Sequence, residues 1–258
     1  MQVVAVQLNM VWEDKAANHK RIHELLDASE IEPESLIVFP EMFETGFTMN
    51  AAVAAQDAER AGETFLKELA TKYKSAVLGG VASPLEGEVS RNEAVCFEPE
   101  GRELVRYQKQ QPFTLSGEDK HYLAGEGHAL FQWQGVKIAP FICYDLRFPE
   151  RFRPAAAEGA ELIVVIACWP ERRSEHWVRL LQARAIENLA CVLGVNRCGE
   201  EPGLTFDGRS SAFDHMGACQ FECDAQEQVK STSFDIEETR RWRNKFPALR
   251  DMQSGIRR

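Results

Sequence analysis

The chain has 258 residues, 44% hydrophobic and 27% charged, with a formal net charge of −10. A chain of this size and balance buries its own core without staples, and its acidic surface speaks against a phosphate backbone as partner, so no nucleic acid is expected. Seven cysteines, an odd number with no CxxC pair, point to reduced thiols and not to a disulfide framework; with no basic leader and no apolar stretch of spanning length, the expectation is a cytoplasmic protein with no membrane contact.

In chain order, QVVAVQL (2–8) reads as a buried strand, and residues 15–29 place Ile22, Leu25 and Leu26 at helical spacing. SLIVFP (35–40) is a strand stopped by Pro40, residues 57–74 carry Phe65, Leu66 and Leu69 on one helical face, and SAVLGGVA (75–82) is a strand. VSRNEAVCFEP (89–99) and RELVRYQK (102–109) flank Pro99-Glu100-Gly101 and read as a hairpin. LFQWQGVKIAPFICYD (130–145) makes two strands bent around Gln134-Gly135, followed by a short helix over 149–158 opened by Pro149. ELIVVIA (161–167), a long helix over 174–190 and CVLGVNR (191–197) follow, then strands near 209–214 and 227–234 and a helix near 236–244. No repeat or Pro/Gly/Ser linker interrupts this series, so one domain over 1–258 is expected. Alternating strands and helices predict an α/β protein with helices covering mixed sheets, and the strand number favours two stacked sheets.

In such proteins functional groups gather where strands end. Glu41 follows LIVFP, Lys109 ends RELVRYQK, and Cys143 ends VKIAPFI. Together they supply what acyl transfer to sulfur needs: a nucleophile, an acid/base and a cation for the oxyanion. Each has a plainer reading. A cysteine ending an apolar strand is usually core, a Glu after a strand usually faces solvent, and so does a lone Lys. Spacing alone leaves both readings open.

Three blocks resemble the nitrilase superfamily of carbon–nitrogen hydrolases. LIVFPEMFETGF is similar to the block around that family's catalytic Glu, and YQKQQPF to the block around its Lys. ICYDLRFPE is similar to the nucleophile block, in which an acidic residue stands two places after Cys and Arg follows. The blocks stand in family order, HWVRLLQARAIENLACVLGVNR resembles the helix and strand that come next, and the likeness runs from about Gln2 to Phe246.

The resemblance implies a four-layer αββα sandwich with two mixed β-sheets between helix layers, paired as a homodimer. It implies catalytic roles for Glu41, Lys109 and Cys143, an oxyanion contact from the Tyr144 backbone, and a thioester intermediate. Glu118, in LSGEDKHYLAG, falls where members carry a further Glu that orients the Lys and the substrate; its other reading is a charged loop. CYDLRFPE and ACWPERRSEHW look most like the omega-amidase branch, whose members hydrolyse the terminal amide of 2-oxo acids such as 2-oxoglutaramate and 2-oxosuccinamate. A nitrile, a carbamoyl compound or another small amide is the alternative substrate. Relatives often carry K-x-H-L-F, whereas this chain has Lys109-Gln110-Gln111-Pro112-Phe113, a departure that touches the pocket and leaves the triad intact. Arg147, Trp169 and Arg173 are expected at the substrate end, where an Arg fork suits a carboxylate; an ion pair with Asp145 or a neighbouring acid is the other reading of Arg147. No cofactor and no metal are expected, since the six His are scattered and HExxH is absent.

Overall fold

Val-, Ile- and Leu-rich runs form the strands of the structure, a computed structural model that describes residues 1–252; positions 253–258 of the expected domain lie outside the described residues. The first half of the chain forms β1 (Gln2–Gln7), α1 (Lys15–Asp27), β2 (Leu36–Val38), α2 (Ala51–Ala54), α3 (Ala61–Tyr73), β3 (Ala76–Ala82), β4 (Asn92–Phe97) and β5 (Glu103–Gln108). The second half forms β6 (Phe131–Trp133), β7 (Val136–Ile142), α4 (Pro149–Ala157), β8 (Leu162–Ala167), α5 (Ser174–Asn188) and β9 (Cys191–Asn196). It continues through β10 (Cys198–Glu201), β11 (Leu204–Asp207), β12 (Ser211–Phe213), β13 (Cys219–Glu222), β14 (Gln228–Ser233) and α6 (Ile236–Lys245).

Two six-stranded sheets result, ordered β14-β1-β2-β3-β4-β5 and β13-β12-β9-β8-β7-β6. Both are mixed. In the first, β1, β2 and β3 run parallel and the remaining pairs are antiparallel. The second has β7, β8 and β9 parallel with antiparallel strands at its edges. Side chains alternate across each strand. Val3, Ala5, Val38 and Leu78 of the first sheet share one core with Ile138, Val164 and Leu193 of the second, so this apolar layer lies between the sheets. Val4, Val6, Ile37 and Val77 face the other way and pack on Ile22 and Leu26 of α1 and Phe65, Leu66 and Leu69 of α3. On the far side, Phe152 of α4 and Trp177, Leu181 and Ala185 of α5 close the second sheet. The four layers are therefore helix, sheet, sheet, helix, as the sequence pattern predicts.

The differences are local. The strand expected over 35–40 pairs only from Leu36 to Val38, because the chain turns at Pro40 to deliver Glu41. The helix expected from 57 starts at Ala61, after the separate turn α2. The β10–β11 hairpin and β13 have no counterpart in the expected elements: CGEEPGLTFDG is short, polar and broken by Pro and Gly, so its alternation is weak.

Candidate active site

The parallel strands deliver their carboxyl ends to one edge, and the candidate residues follow them directly. Glu41 stands just past β2, in a turn whose next residue, Met42, has φ +47°. That turn lies against β3 because Gly80 has no side chain there: a Cβ would sit 2.6 Å from the Glu41 Cα. Lys109 follows β5, and its backbone N–H donates to the Asn92 carbonyl on β4 at 2.9 Å. Cys143 follows β7 with φ +46°, a left-handed conformation that is strained for a residue with a side chain. The buried Asp145 carboxylate braces the turn. It accepts from the Ile142 N–H (3.0 Å), the Gln111 N–H (2.9 Å) and the Tyr107 hydroxyl (2.7 Å), tying the cysteine turn to the residues on either side of Lys109.

The ionised groups meet in a dry cluster. Lys109 Nζ donates to Glu41 Oε1 at 2.8 Å and to Glu118 Oε2 at 2.9 Å. Glu41 and Glu118 are fully buried and Lys109 is 1% exposed. The second Glu41 oxygen accepts from the Cys168 N–H at 2.9 Å. Desolvation holds the Cys143 thiol well above its usual range, reinforced by the Glu41 charge, while Lys109 pulls it down. Burial disfavours the Lys109 ammonium, yet the Glu118 and Glu41 carboxylates outweigh it and hold that group well above its usual range. The resting arrangement thus favours a neutral thiol beside the Lys109 ammonium. Such a thiol needs a base during attack; its Sγ lies 3.9 Å from the Cys168 carbonyl, and the Glu41 charge acts on it.

Cys143 opens on a cavity of about 330 Å³, within the range of small-ligand pockets. Phe113, Tyr144, Arg147, Trp169 and Arg173 line it together with Cys143. The Tyr144 N–H belongs to the first turn of the 3-10 segment Cys143–Arg147, where backbone donors have no partner within the helix. Arg147 lies over the Trp169 ring, 4.8 Å from its centroid, and meets His176 Nδ1 at 3.1 Å. It does not pair with Asp145, whose oxygens are taken by Tyr107 and two backbone N–H groups; the ion-pair reading of Arg147 is corrected accordingly. Arg173 lies over Phe113 at 5.3 Å, and burial and the neighbouring Arg172 charge depress its affinity for the proton. Among the described residues neither guanidinium forms an ion pair with a carboxylate. Trp169 is 2% exposed and fixed by three hydrogen bonds: its N–H donates to Asn196 Oδ1, its Nε1–H donates to the Arg173 carbonyl, and its own carbonyl accepts from Asn196 Nδ2.

The fold therefore brings Glu41, Lys109, Glu118 and Cys143 to one place, with Tyr144, Arg147, Trp169 and Arg173 around the adjoining cavity. Sequence reasoning missed several neighbours. Cys168 lies in the cavity wall beside Glu41, and its Sγ–H donates to the Glu41 carbonyl at 3.2 Å. The unforeseen β10–β11 hairpin adds Glu201, Leu204 and Phe206 to the wall, and the buried Arg197 pairs with Glu201. Asn92 contacts both carboxylates; a signal existed, since Asn is a poor strand former and stands here at the head of the strand NEAVCF. Among the described residues no cluster of three His, Cys, Asp or Glu could hold a metal ion, and no helix is long and apolar enough to cross a membrane.

Comparison with known proteins gives the family. The chain is 35% identical over 254 residues to the omega-amidase YafV of Yersinia enterocolitica, covering 97% of this chain and 96% of the relative. It is 31% identical to a 2-oxoglutaramate amidase of Bacillus subtilis, covering 88% and 89%. Among solved structures, XC1258 of Xanthomonas campestris, a CN-hydrolase superfamily protein with an arsenic adduct in its active site, superposes with a TM-score of 0.91 at 32% identity over 98% of this chain and 97% of that one. A cysteine-to-alanine mutant of the Nesterenkonia AN1 amidase from the nitrilase superfamily gives 0.85 at 25% identity, over 99% and 95%. The carbon-nitrogen hydrolase family profile matches residues 2–244, and the chain belongs to that family.

Proposed function

We propose that this enzyme hydrolyses the terminal carboxamide of a small 2-oxo acid, such as 2-oxoglutaramate or 2-oxosuccinamate, through a thioester on Cys143. One observation carries the reading. One cavity presents the Cys143 thiol beside an acid–ammonium cluster and, in its wall, the guanidiniums of Arg147 and Arg173, which pair with no acid among the described residues. The first feature suits attack on an amide carbon; the second suits a substrate carboxylate, which Arg binds through paired N–H donors. The omega-amidase and 2-oxoglutaramate amidase among its relatives support the same substrate class.

Glu41 takes the thiol proton as sulfur attacks the amide carbon, a role supported by the raised proton affinity of Cys143. The carbonyl oxygen becomes an oxyanion, held by the Lys109 ammonium and the Tyr144 N–H. Glu41 returns its proton to the departing nitrogen, and the C–N bond breaks to release ammonia. A water then loses a proton to Glu41 and attacks the thioester; the C–S bond breaks and the proton goes back to sulfur. Glu118 holds the lysine ammonium in place throughout, in keeping with its two contacts to Nζ. Arg147 and Arg173 receive the substrate carboxylate, with Trp169 and Phe113 as the apolar surfaces that orient them.

Ammonia release from a panel of amides and a nitrile tests the substrate class. The 2-oxo acid amides are expected to exceed neutral amides of equal length by about 100-fold in kcat/KM, the worth of one well-placed charged hydrogen bond. Equal rates on neutral amides, or a preference for the nitrile, would overturn the assignment. We further assign a homodimer in a reducing, cytoplasmic setting. The exposed apolar side chains Ile186, Met216 and Phe246 and the seven free thiols support this, and sedimentation would test the dimer.

A further inference from the structure

Asn92 stands at the start of β4, 1% exposed, in a strand whose other residues are Glu, Ala, Val, Cys and Phe. Asparagine is disfavoured in strands, so a buried one needs a reason. Its amide nitrogen has two hydrogens, and both are used on carboxylates: Nδ2 donates to Glu41 Oε1 at 2.7 Å and to Glu118 Oε1 at 3.0 Å. Its backbone carbonyl accepts the Lys109 N–H at 2.9 Å. Asn92 therefore touches each charged member of the cluster. The price is visible on the same side chain. Among the described residues, the buried Asn92 Oδ1 has no hydrogen-bond partner. Turning the amide over would set that oxygen against two carboxylates, so the orientation is dictated by the acids. Burying an amide oxygen without a partner is unfavourable, and proteins tolerate such defects at functional sites more than elsewhere.

The charge balance explains what the amide supplies. Two carboxylates share one ammonium, leaving one negative charge in excess in a dry site. Lys109 donates to both acids but balances the charge of only one, and the two acids repel each other. Two N–H bonds from a neutral group relieve that repulsion without adding a charge to compensate. A lysine in that position would quench the base; an apolar residue would leave the acids facing each other.

Resting on the amidase reading above, we propose that Asn92 is a positioning residue that holds the Glu41 carboxyl group beside the Cys143 thiol while Glu118 stays on Lys109. It acts through Glu41 and makes no contact with substrate.

The test combines Asn92→Ala, which removes both donors, with Asn92→Asp, which keeps the shape and the backbone bond to Lys109 but replaces the donors by a third acid. In both variants the acid limb of the kcat/KM profile is expected to move up by about one pH unit, the size of losing one hydrogen bond to a carboxylate. In a Glu41→Gln background, Asn92→Ala should lower kcat far less than it does in the wild type, because its main target is already gone and only the bond to Glu118 remains to be lost. An unshifted acid limb, or full additivity with Glu41→Gln, would overturn the proposal and leave Asn92 as packing. The pH dependence of Cys143 alkylation by iodoacetamide reads the cluster without any amide substrate. It should move to higher pH in Asn92→Asp, and an unmoved profile counts against Asn92 even if the substrate class is wrong. Conversely, failure of the wild-type enzyme on every amide would overturn the amidase reading while the alkylation profiles still decide the role of Asn92.

Discussion

The two halves of the site are built on opposite terms. Around Glu41 and Lys109 the charges are buried and paired: ammonium with two carboxylates, one carboxylate with a backbone N–H, both with Asn92. Around Arg147 and Arg173 the charges lie over aromatic rings, and among the described residues no acid answers them. A cluster that pairs its own charges is rigid before substrate arrives, so its electrostatics need not reorganise during reaction. A wall that leaves cations without acids presents binding energy that only an anionic ligand can collect. The contrast assigns bond-breaking to the first half and recognition to the second.

The largest effect should come from the paired half. Glu41→Gln, nearly isosteric, is expected to lower kcat by about 10⁴-fold, the upper range for removing a general acid–base group, with the fold intact by circular dichroism. Near-normal turnover would erase the contrast by making the cluster structural. Next comes the recognition half. Arg173→Met should lower kcat/KM on 2-oxo acid amides about 30- to 100-fold while leaving neutral amides within a few-fold. An equal loss on both substrate types would mean that Arg173 shapes the pocket and does not read charge.

A smaller effect concerns the brace between the halves. Burial pushes the Asp145 carboxyl up to about 6, against the bonds from Tyr107 and Ile142 that favour its ionised form. An acid with a raised value in the folded state keeps its proton there after the unfolded chain has released it. Stability therefore falls as pH rises through that window and is level above it. Relative to Asp145→Asn, the wild type should lose up to about 3 kcal/mol between about pH 4 and about pH 6.5, read by chemical denaturation. A parallel pH dependence in the two proteins would show that Asp145 is not the group that titrates.

Much of this was legible before folding. Apolar β-branched runs alternating with amphipathic segments announce an α/β protein, and Glu41, Lys109 and Cys143 are visible because chemistry in such folds sits where strands end. The three blocks that resemble the nitrilase superfamily tie these residues together. What stayed hidden depends on contacts between distant segments. Asn92 looks like one polar residue in a hairpin until Glu41 and Glu118 arrive from other parts of the chain. For Asp145 the structure alone shows the distant partners, Tyr107 and the Gln111 N–H, at which the turn aims it. Gly80 shows only in the structure why it must lack a side chain. The β10–β11 hairpin is built from Gly, Pro and Glu, so its place in the cavity wall follows from docking and not from periodicity.

The central claim is that sulfur at position 143 becomes acylated during turnover. Acid-quenching the enzyme within its first turnovers on 2-oxoglutaramate, followed by peptide mass spectrometry, reads this directly. The account predicts an acyl adduct on the peptide holding Cys143 and none on the peptide holding Cys168, the second thiol in the cavity wall. An adduct on Cys168, or steady ammonia release from Cys143→Ala at the wild-type rate, would contradict it.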